Sequence, residues 1–140
     1  MFKVQKQINK PVSWPVSVDT PVDGGGIEKI EFTGLFRLLS DDERQQLVST
    51  PVDDANPIDT TLDKNKADTQ IIVGQWKESM IDKIMDVMTG WKDVADQDGN
   101  ELPFSRDNLR AAARCPYGIA LLRGINVAIG EVSSGARQKN

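Results

Sequence analysis

The sequence predicts an α+β fold in which a small N-terminal antiparallel sheet is followed by a helical C-terminal half. Apolar and polar residues alternate through much of residues 1–39, as they do in strands with one buried face. From Thr69 the apolar residues recur at intervals of three or four, which is the period of an amphipathic helix. The chain has 140 residues, of which 39% are hydrophobic, so it is long enough for one modest core. We therefore expect residues 1–140 to form a single domain.

The N-terminal strands are predicted from two short alternating segments and a longer one. Residues 2–8 and 13–18 alternate imperfectly, and a proline in the second segment favours the edge of a sheet, because proline cannot donate a ladder hydrogen bond. Asp23 and the three glycines that follow it predict a flexible turn. The alternation then resumes over residues 27–39. An antiparallel sheet is the simplest structure that joins these strands.

A short helix is predicted over residues 40–50. Ser40 supplies a hydroxyl N-cap, and Glu43 completes a capping box that places negative charge at the positive end of the helix dipole. Pro51 ends this helix. Residues 51–68 contain two prolines, five aspartates and few large apolar side chains, which predicts a solvated polar loop.

The longest helix is predicted to begin at Thr69 and to supply most of the core. Its central apolar stripe is spaced by three or four residues and comprises Val73, Trp76, Met80, Ile84, Val87 and Trp91. Four further apolar residues widen this face, namely Ile72, Ile81, Met85 and Met88. We therefore expect Trp76 and Ile84 to be buried.

Two more helices are predicted in the C-terminal part of the chain. A turn at residues 94–103 precedes Ser105, which is the N-cap of the first of them. Pro116 marks a break, after which the apolar spacing predicts a final helix. Helices therefore occupy residues 69–132 around this turn, and residues 133–140 are expected to fray.

Charge and residue types argue against several functional classes. The formal net charge of −4 opposes binding to a phosphate backbone, which requires clustered Lys and Arg. The chain has no histidine, the commonest general base and zinc ligand. No apolar run approaches the roughly 20 residues that cross a bilayer. We expect a soluble intracellular protein that is not an enzyme, has no cofactor and binds neither nucleic acid nor membrane.

Cys115 is the single cysteine, and Pro116 follows it at the predicted start of the last helix. One cysteine cannot build an intrachain disulfide framework. Without a histidine, the thiol also lacks the usual base that activates a cysteine nucleophile. We therefore expect Cys115 to be a small packed side chain.

Residues 96–100, Asp-Gln-Asp-Gly-Asn, partly match a calcium-binding EF-hand loop. When Gly99 is aligned with the sixth loop position, Val94 and Ser105 fall at the first and twelfth positions, where ligands are required. A tight turn fits better, because Asp-Gly supplies backbone positions with positive φ. Trp91 and Phe104 flank this turn and are placed to pack across it.

Four motifs occur in order within residues 90–109: Gly-Trp-Lys-Asp-Val, Asp-Gly, Leu-Pro-Phe-Ser and Asn-Leu. Upstream lie a strand entering Phe-Thr-Gly-Leu-Phe-Arg-Leu-Leu-Ser, a short acidic helix and a long helix. This order resembles the tail assembly chaperones of long-tailed bacteriophages and prophages, closely over residues 90–109 and loosely over residues 27–132. The resemblance implies a small α+β protein of the host cytoplasm.

The resemblance also implies partners and a role. Such a protein coats the tape measure protein, keeps it soluble until tail tube subunits polymerise, and is not expected in the mature virion. The tail tube protein and a second copy of the chain are further expected partners. A minor structural component of the virion tail is the alternative function.

Candidate partner-binding residues follow from this role and from side-chain chemistry. A tape measure protein is largely helical, and methionines adapt to helices that bind in different registers. The candidates are Met80, Met85, Met88, Trp91 and Phe104. Ordinary core packing is the alternative for the three methionines.

The resemblance further implies a longer product made by ribosomal frameshifting. Gln138-Lys139-Asn140 is encoded as CAR-AAR-AAY, and adenine at both variable positions gives A AAA AAY. Two tRNAs can slip back by one base on that message. We therefore expect the minus-one frame to stay open past this site and to encode the extension of a minor fused product.

Overall fold

In a computed structural model, the chain is described over residues 1–4, 10–49 and 66–134. The elements there are, in order, β1 (Val12–Pro21), β2 (Ile27–Phe36), α1 (Asp41–Ser49), α2 (Lys66–Val87), β3 (Met88–Lys92), α3 (Arg106–Ala113) and α4 (Gly118–Ser134). The three strands form one antiparallel sheet in the order β1-β2-β3. The predicted α+β class, with N-terminal strands followed mostly by helices, is confirmed.

Strands β1 and β2 form a long hairpin that is paired over all ten residues of each strand. The connecting turn is closed by a 3.0 Å hydrogen bond from Val22 N–H to the Gly26 carbonyl. Gly24 and Gly25 have φ angles of 88° and 85°, which are favourable for glycine and costly for most other residues. Pro15 lies in β1 at the edge of the sheet, as its missing N–H requires.

Helix α4 lies along β1. A β carbon at Gly124 would overlap the carbonyl oxygen of Ser17, so the helix backbone approaches the strand directly at this point. The hydrogen bond at the hairpin turn sets the alternation along the ladder, and Ser17 therefore directs its carbonyl away from β2. Near the far end of the helix, Trp14 Nε1 donates a 3.1 Å hydrogen bond to Glu131 Oε1. Helix α4 thus covers part of the outer edge of β1, which limits edge-to-edge pairing.

The core lies between one face of the sheet and helices α2, α3 and α4. Trp76 and Ile84 are buried, as predicted from their spacing. The largest fully buried side chains come from strands and helices alike: Phe36, Met80, Ile81, Ile84, Leu109, Leu122, Ile125 and Val16. These residues belong to a single cluster of buried apolar side chains.

The C-terminal end of α2 differs from the sequence prediction. The helix ends at Val87, and Met88 and Trp91 lie on strand β3, so the prediction that the helix continues through Trp91 is wrong. Arg37 explains the change: its N–H donates to the Val87 carbonyl at 2.8 Å, and its guanidinium donates twice to the Asp86 carbonyl. These bonds satisfy carbonyls that a continued helix would have used.

Both predicted N-caps are confirmed. Glu43 N–H donates to Ser40 Oγ at 3.3 Å, and Ser40 N–H donates to Glu43 Oε1 at 3.2 Å. Arg37 also donates a hydrogen bond to Glu43, and this bond, followed by the one from the Ser40 backbone, lowers the pKa of the Glu43 carboxyl. In α3, Asn108 N–H donates to Ser105 Oγ at 3.1 Å. These caps are encoded locally by short polar motifs.

Several predicted boundaries move or lie outside the described residues. Helix α2 begins at Lys66, so the last residues of the predicted loop 51–68 are helical, and the rest of that loop is not described. Residues 133 and 134 still belong to α4. The remainder of the predicted tail, including Gln138–Asn140, lies outside the described residues. Most of the predicted strand 2–8 also lies outside them, and its described residues 2–4 are not in a strand.

Candidate partner-binding groove

The structure disperses the five partner-binding residues that the sequence predicted. Met80 on α2 and Met88 on β3 are buried in the core, which agrees with the ordinary-core alternative. Trp91 is 8% exposed, and Met85 and Phe104 are half-buried against the same core. The five side chains form no shared exposed surface, and their role in binding stays a prediction.

Trp91 is the centre of an aromatic cluster between β3 and the start of α3. Its ring meets Phe104 edge to face, with centroids 5.0 Å apart, and meets Phe32 in the same way at 6.3 Å. Its indole N–H donates a 2.6 Å hydrogen bond to the Leu102 carbonyl. The predicted aromatic pair across the turn is therefore confirmed. Edge-to-face contacts of this kind add stabilisation beyond the burial of apolar area.

Residues 94–102, here called the acidic turn, form a small hairpin closed by a bridge between Ala95 and Glu101. The Asp96 carboxylate accepts hydrogen bonds from the backbone N–H groups of Asp98 (2.9 Å) and Asn100 (3.0 Å). Gly99 has a φ of 86°, as the Asp-Gly sequence predicted. The structure thus shows a tight turn in which one carboxylate oxygen binds the chain itself. No cluster of three or more metal-ligating side chains occurs among the described residues.

An open groove of about 320 Å³ lies between the β1–β2 hairpin and the connection from α3 to α4. Its apolar lining comes from three separate parts of the chain and includes Val18, Ile30, Phe32, Trp91, Val94 and Leu121. Ile30 and Tyr117, which also line the groove, are 49% and 47% exposed. Large apolar side chains that converge on one concave surface are typical of sites that bind another molecule.

The charged residues of the groove are both acidic. Glu31 on β2 and Asp93 after β3 line it, whereas the α3–α4 connection contributes no charged side chain to the lining. Asp93 has a φ of 66°, in the left-handed region that aspartate and asparagine tolerate better than most residues. At this residue the chain leaves the sheet and enters the acidic turn. The same residue therefore ends β3 and places a carboxylate beside the groove.

Cys115 is exposed and also lines the groove, so the prediction of a packed cysteine is wrong. Its Sγ lies 3.5 Å from the Ala111 carbonyl. The close contact in this connection is made by Gly118 instead, whose N–H donates to the Cys115 carbonyl at 2.8 Å. A β carbon at Gly118 would overlap the Ala113 carbonyl. The glycine, not the cysteine, therefore occupies the tightly packed position.

A second cavity, of about 410 Å³, lies between α2 and α3. Two of its three cationic side chains have structural partners: Lys77 Nζ donates to the Ala113 carbonyl at 2.7 Å, and Arg110 pairs with Glu78 at 3.0 Å. The hydrogen bond to Glu78 raises the pKa of the Arg110 guanidinium. These contacts join two helices, and we assign the cavity a structural role.

Comparison with protein-family models, characterised proteins and solved structures gives no match for this chain. Among the described helices, none is long and apolar enough to cross a bilayer.

The groove was not predicted from the sequence, although the sequence contains one indication of it. Ile27 and Ile30 lie on opposite faces of the same strand, so one sheet face cannot bury both side chains.

Proposed function

We propose that this protein is a phage tail assembly chaperone that binds helical segments of a tape measure protein in the groove. The observation that carries this proposal is the position of the motif residues. Trp91, Asp93 and Val94 all belong to the Gly90–Val94 motif and all line the groove. The stretch that resembles the chaperone family is therefore also the stretch that forms one side of the best candidate binding surface.

The shape and chemistry of the groove suit a helical client. An amphipathic helix inserts apolar side chains spaced by three, four and seven residues into such grooves. Ile30 on β2 and Tyr117, just before α4, both line the groove and are about half exposed, so they are available to an inserted apolar side chain. Covering these side chains removes apolar surface from water on both partners. A tape measure helix held in this way would no longer present its apolar face to other copies.

Co-expression with the tape measure protein of the same phage tests the proposal. We expect the chain to increase the soluble fraction of the tape measure protein. The variant Ile30→Ser/Tyr117→Ser should lose this effect, because it removes the exposed apolar surface of the groove. Val127→Ser is the matched control, since Val127 is 44% exposed on α4 but does not line the groove.

Two results would contradict the proposal. The first is a tape measure protein that stays equally insoluble with and without this chain. The second is equal loss of solubilisation with the groove variant and the Val127→Ser control. Detection of the chain in stoichiometric amounts in purified particles would favour the alternative function, a minor structural component of the tail.

A further inference from the structure

We infer that the groove selects helices that carry basic side chains beside their apolar face. This inference rests on the proposed function and specifies the chemistry of the client. It starts from Asp93 at the end of β3, whose carboxylate lies beside the groove. Glu31 also belongs to the lining, but alternation along β2 directs its side chain to the sheet face opposite Ile30 and Phe32. A bound helix would place the polar residues next to its apolar stripe against this carboxylate and the chain segments that flank the groove.

The surroundings extend this acidic character beyond the lining. The first hairpin, defined here as residues 18–32, contains four acidic residues and one lysine. Residues 91–102, which include the acidic turn, also contain four acidic residues and one lysine. Both segments contribute residues to the groove. Two flanking segments of the same sign create a negative potential that attracts cationic partners and repels anionic ones.

The same charge distribution disfavours a second copy of this chain as the occupant. The chain has a formal net charge of −4, and self-docking would bring further negative charge to two acidic segments. Like charges placed together across an interface cost free energy and slow association. A basic helix from a different protein has the complementary charge.

Two synthetic amphipathic helices test this selection directly. Both have the same Leu/Ala apolar face, but one has Lys and the other has Glu at the flanking positions. Their affinities for the full chain are measured by fluorescence anisotropy of labelled peptide at two salt concentrations. We expect the Lys peptide to bind at least about tenfold more tightly at low ionic strength, and this advantage to shrink as added salt shortens the Debye length.

A pair of charge variants locates the effect in the groove. Asp93→Asn removes the charge beside the groove, and asparagine suits the left-handed backbone at position 93. Asp86→Asn is the control, because it makes the same change in net charge at an exposed position that does not line the groove. We expect the groove variant to lose about threefold or more in Lys-peptide affinity and the control less than about 1.5-fold. Circular dichroism checks that both remain folded.

Equal or tighter binding of the Glu peptide would overturn the inference, as would equal losses in the two charge variants. The outcome is separable from the proposed function. If the Lys peptide binds as expected but the tape measure protein is not kept soluble, the chaperone proposal fails and the charge selection stands. If solubilisation depends on Ile30 and Tyr117 but peptide charge has no effect, the charge selection alone fails.

Discussion

The first hairpin and the acidic turn flank the same groove but are stabilised in different ways. In the acidic turn, Asp96 accepts two backbone hydrogen bonds, and Trp91 and Phe104 pack against each other beside it. In the first hairpin, the turn depends on two glycines with positive φ, and Ile27 and Ile30 remain exposed. The aromatic side chains beside the acidic turn pack within the molecule, whereas the tip of the first hairpin leaves Ile27 and Ile30 accessible.

This difference indicates how stability and binding are distributed. Buried, hydrogen-bonded groups stabilise the fold, because their contacts are lost on unfolding. Exposed apolar groups contribute little to the fold, yet they gain most when a partner covers them. We therefore expect substitutions near the acidic turn to reduce stability and those at the tip of the first hairpin to reduce binding.

The largest effect is expected for Trp91→Ala. The change removes a buried ring, its edge-to-face contacts with Phe32 and Phe104, and the hydrogen bond to Leu102. We expect a loss of about 3–5 kcal/mol in the free energy of unfolding, measured by urea denaturation. A loss below about 1 kcal/mol would show that this side of the groove is not a stabilising element.

A smaller effect is expected where α4 approaches β1. Gly124→Ala places a β carbon against the Ser17 carbonyl and should cost about 1–3 kcal/mol, because the helix must move away from the strand. Gly130→Ala is the matched control in the same helix, where a β carbon meets no atom within 4 Å. The control should stabilise by about 0.5–1 kcal/mol through helix propensity. Similar values for the two variants would mean that the close contact between α4 and β1 does not constrain the position of the helix.

The acidic turn itself should respond more weakly. Asp96→Ala removes the acceptor of two backbone hydrogen bonds, and we expect a loss of about 1 kcal/mol in the free energy of unfolding. Asp98→Ala, in the same turn, should stay within about 0.5 kcal/mol of the parent, because its exposed carboxylate makes no such bond to the backbone of the turn. Equal losses would argue against the carboxylate as the element that orders this turn.

The smallest effect on stability is expected at the tip of the first hairpin. Ile27 is 68% exposed, so Ile27→Ser should change the free energy of unfolding by no more than about 0.5 kcal/mol. Ile30→Ser should be nearly as well tolerated by the fold but should weaken client binding, because Ile30 lines the groove and Ile27 does not. If Ile30→Ser unfolds the protein, this hairpin is a stabilising element and the comparison fails.

Features that depend on short stretches of chain were predictable from the sequence. The Ser40 and Ser105 caps, the Asp-Gly turn and the Trp91–Phe104 pair each depend on residues that are close in sequence. The buried stripe of α2 was predictable for a similar reason, because helical spacing brings its residues to one face. These features account for much of the fold class.

Features that depend on distant residues were not predictable. The end of α2 is decided by hydrogen bonds from Arg37, 49 positions away from Asp86. The spacing of Val87 and Trp91 is compatible with a helix, and nothing in it reveals that the chain turns into a strand. The groove likewise combines side chains from β2, from the end of β3 and from the α3–α4 connection. Its position follows from tertiary packing and from no single motif.

The most direct test of helix binding in the groove is an NMR titration of the isotope-labelled chain with a helical segment of the tape measure protein. We expect the largest amide shift changes at residues that line the groove, including Ile30, Tyr117 and Leu121. Residues on the exposed part of α2, such as Ile72, should change little. Shift changes concentrated on α2, with the groove unaffected, would contradict the assignment of this groove as the binding site.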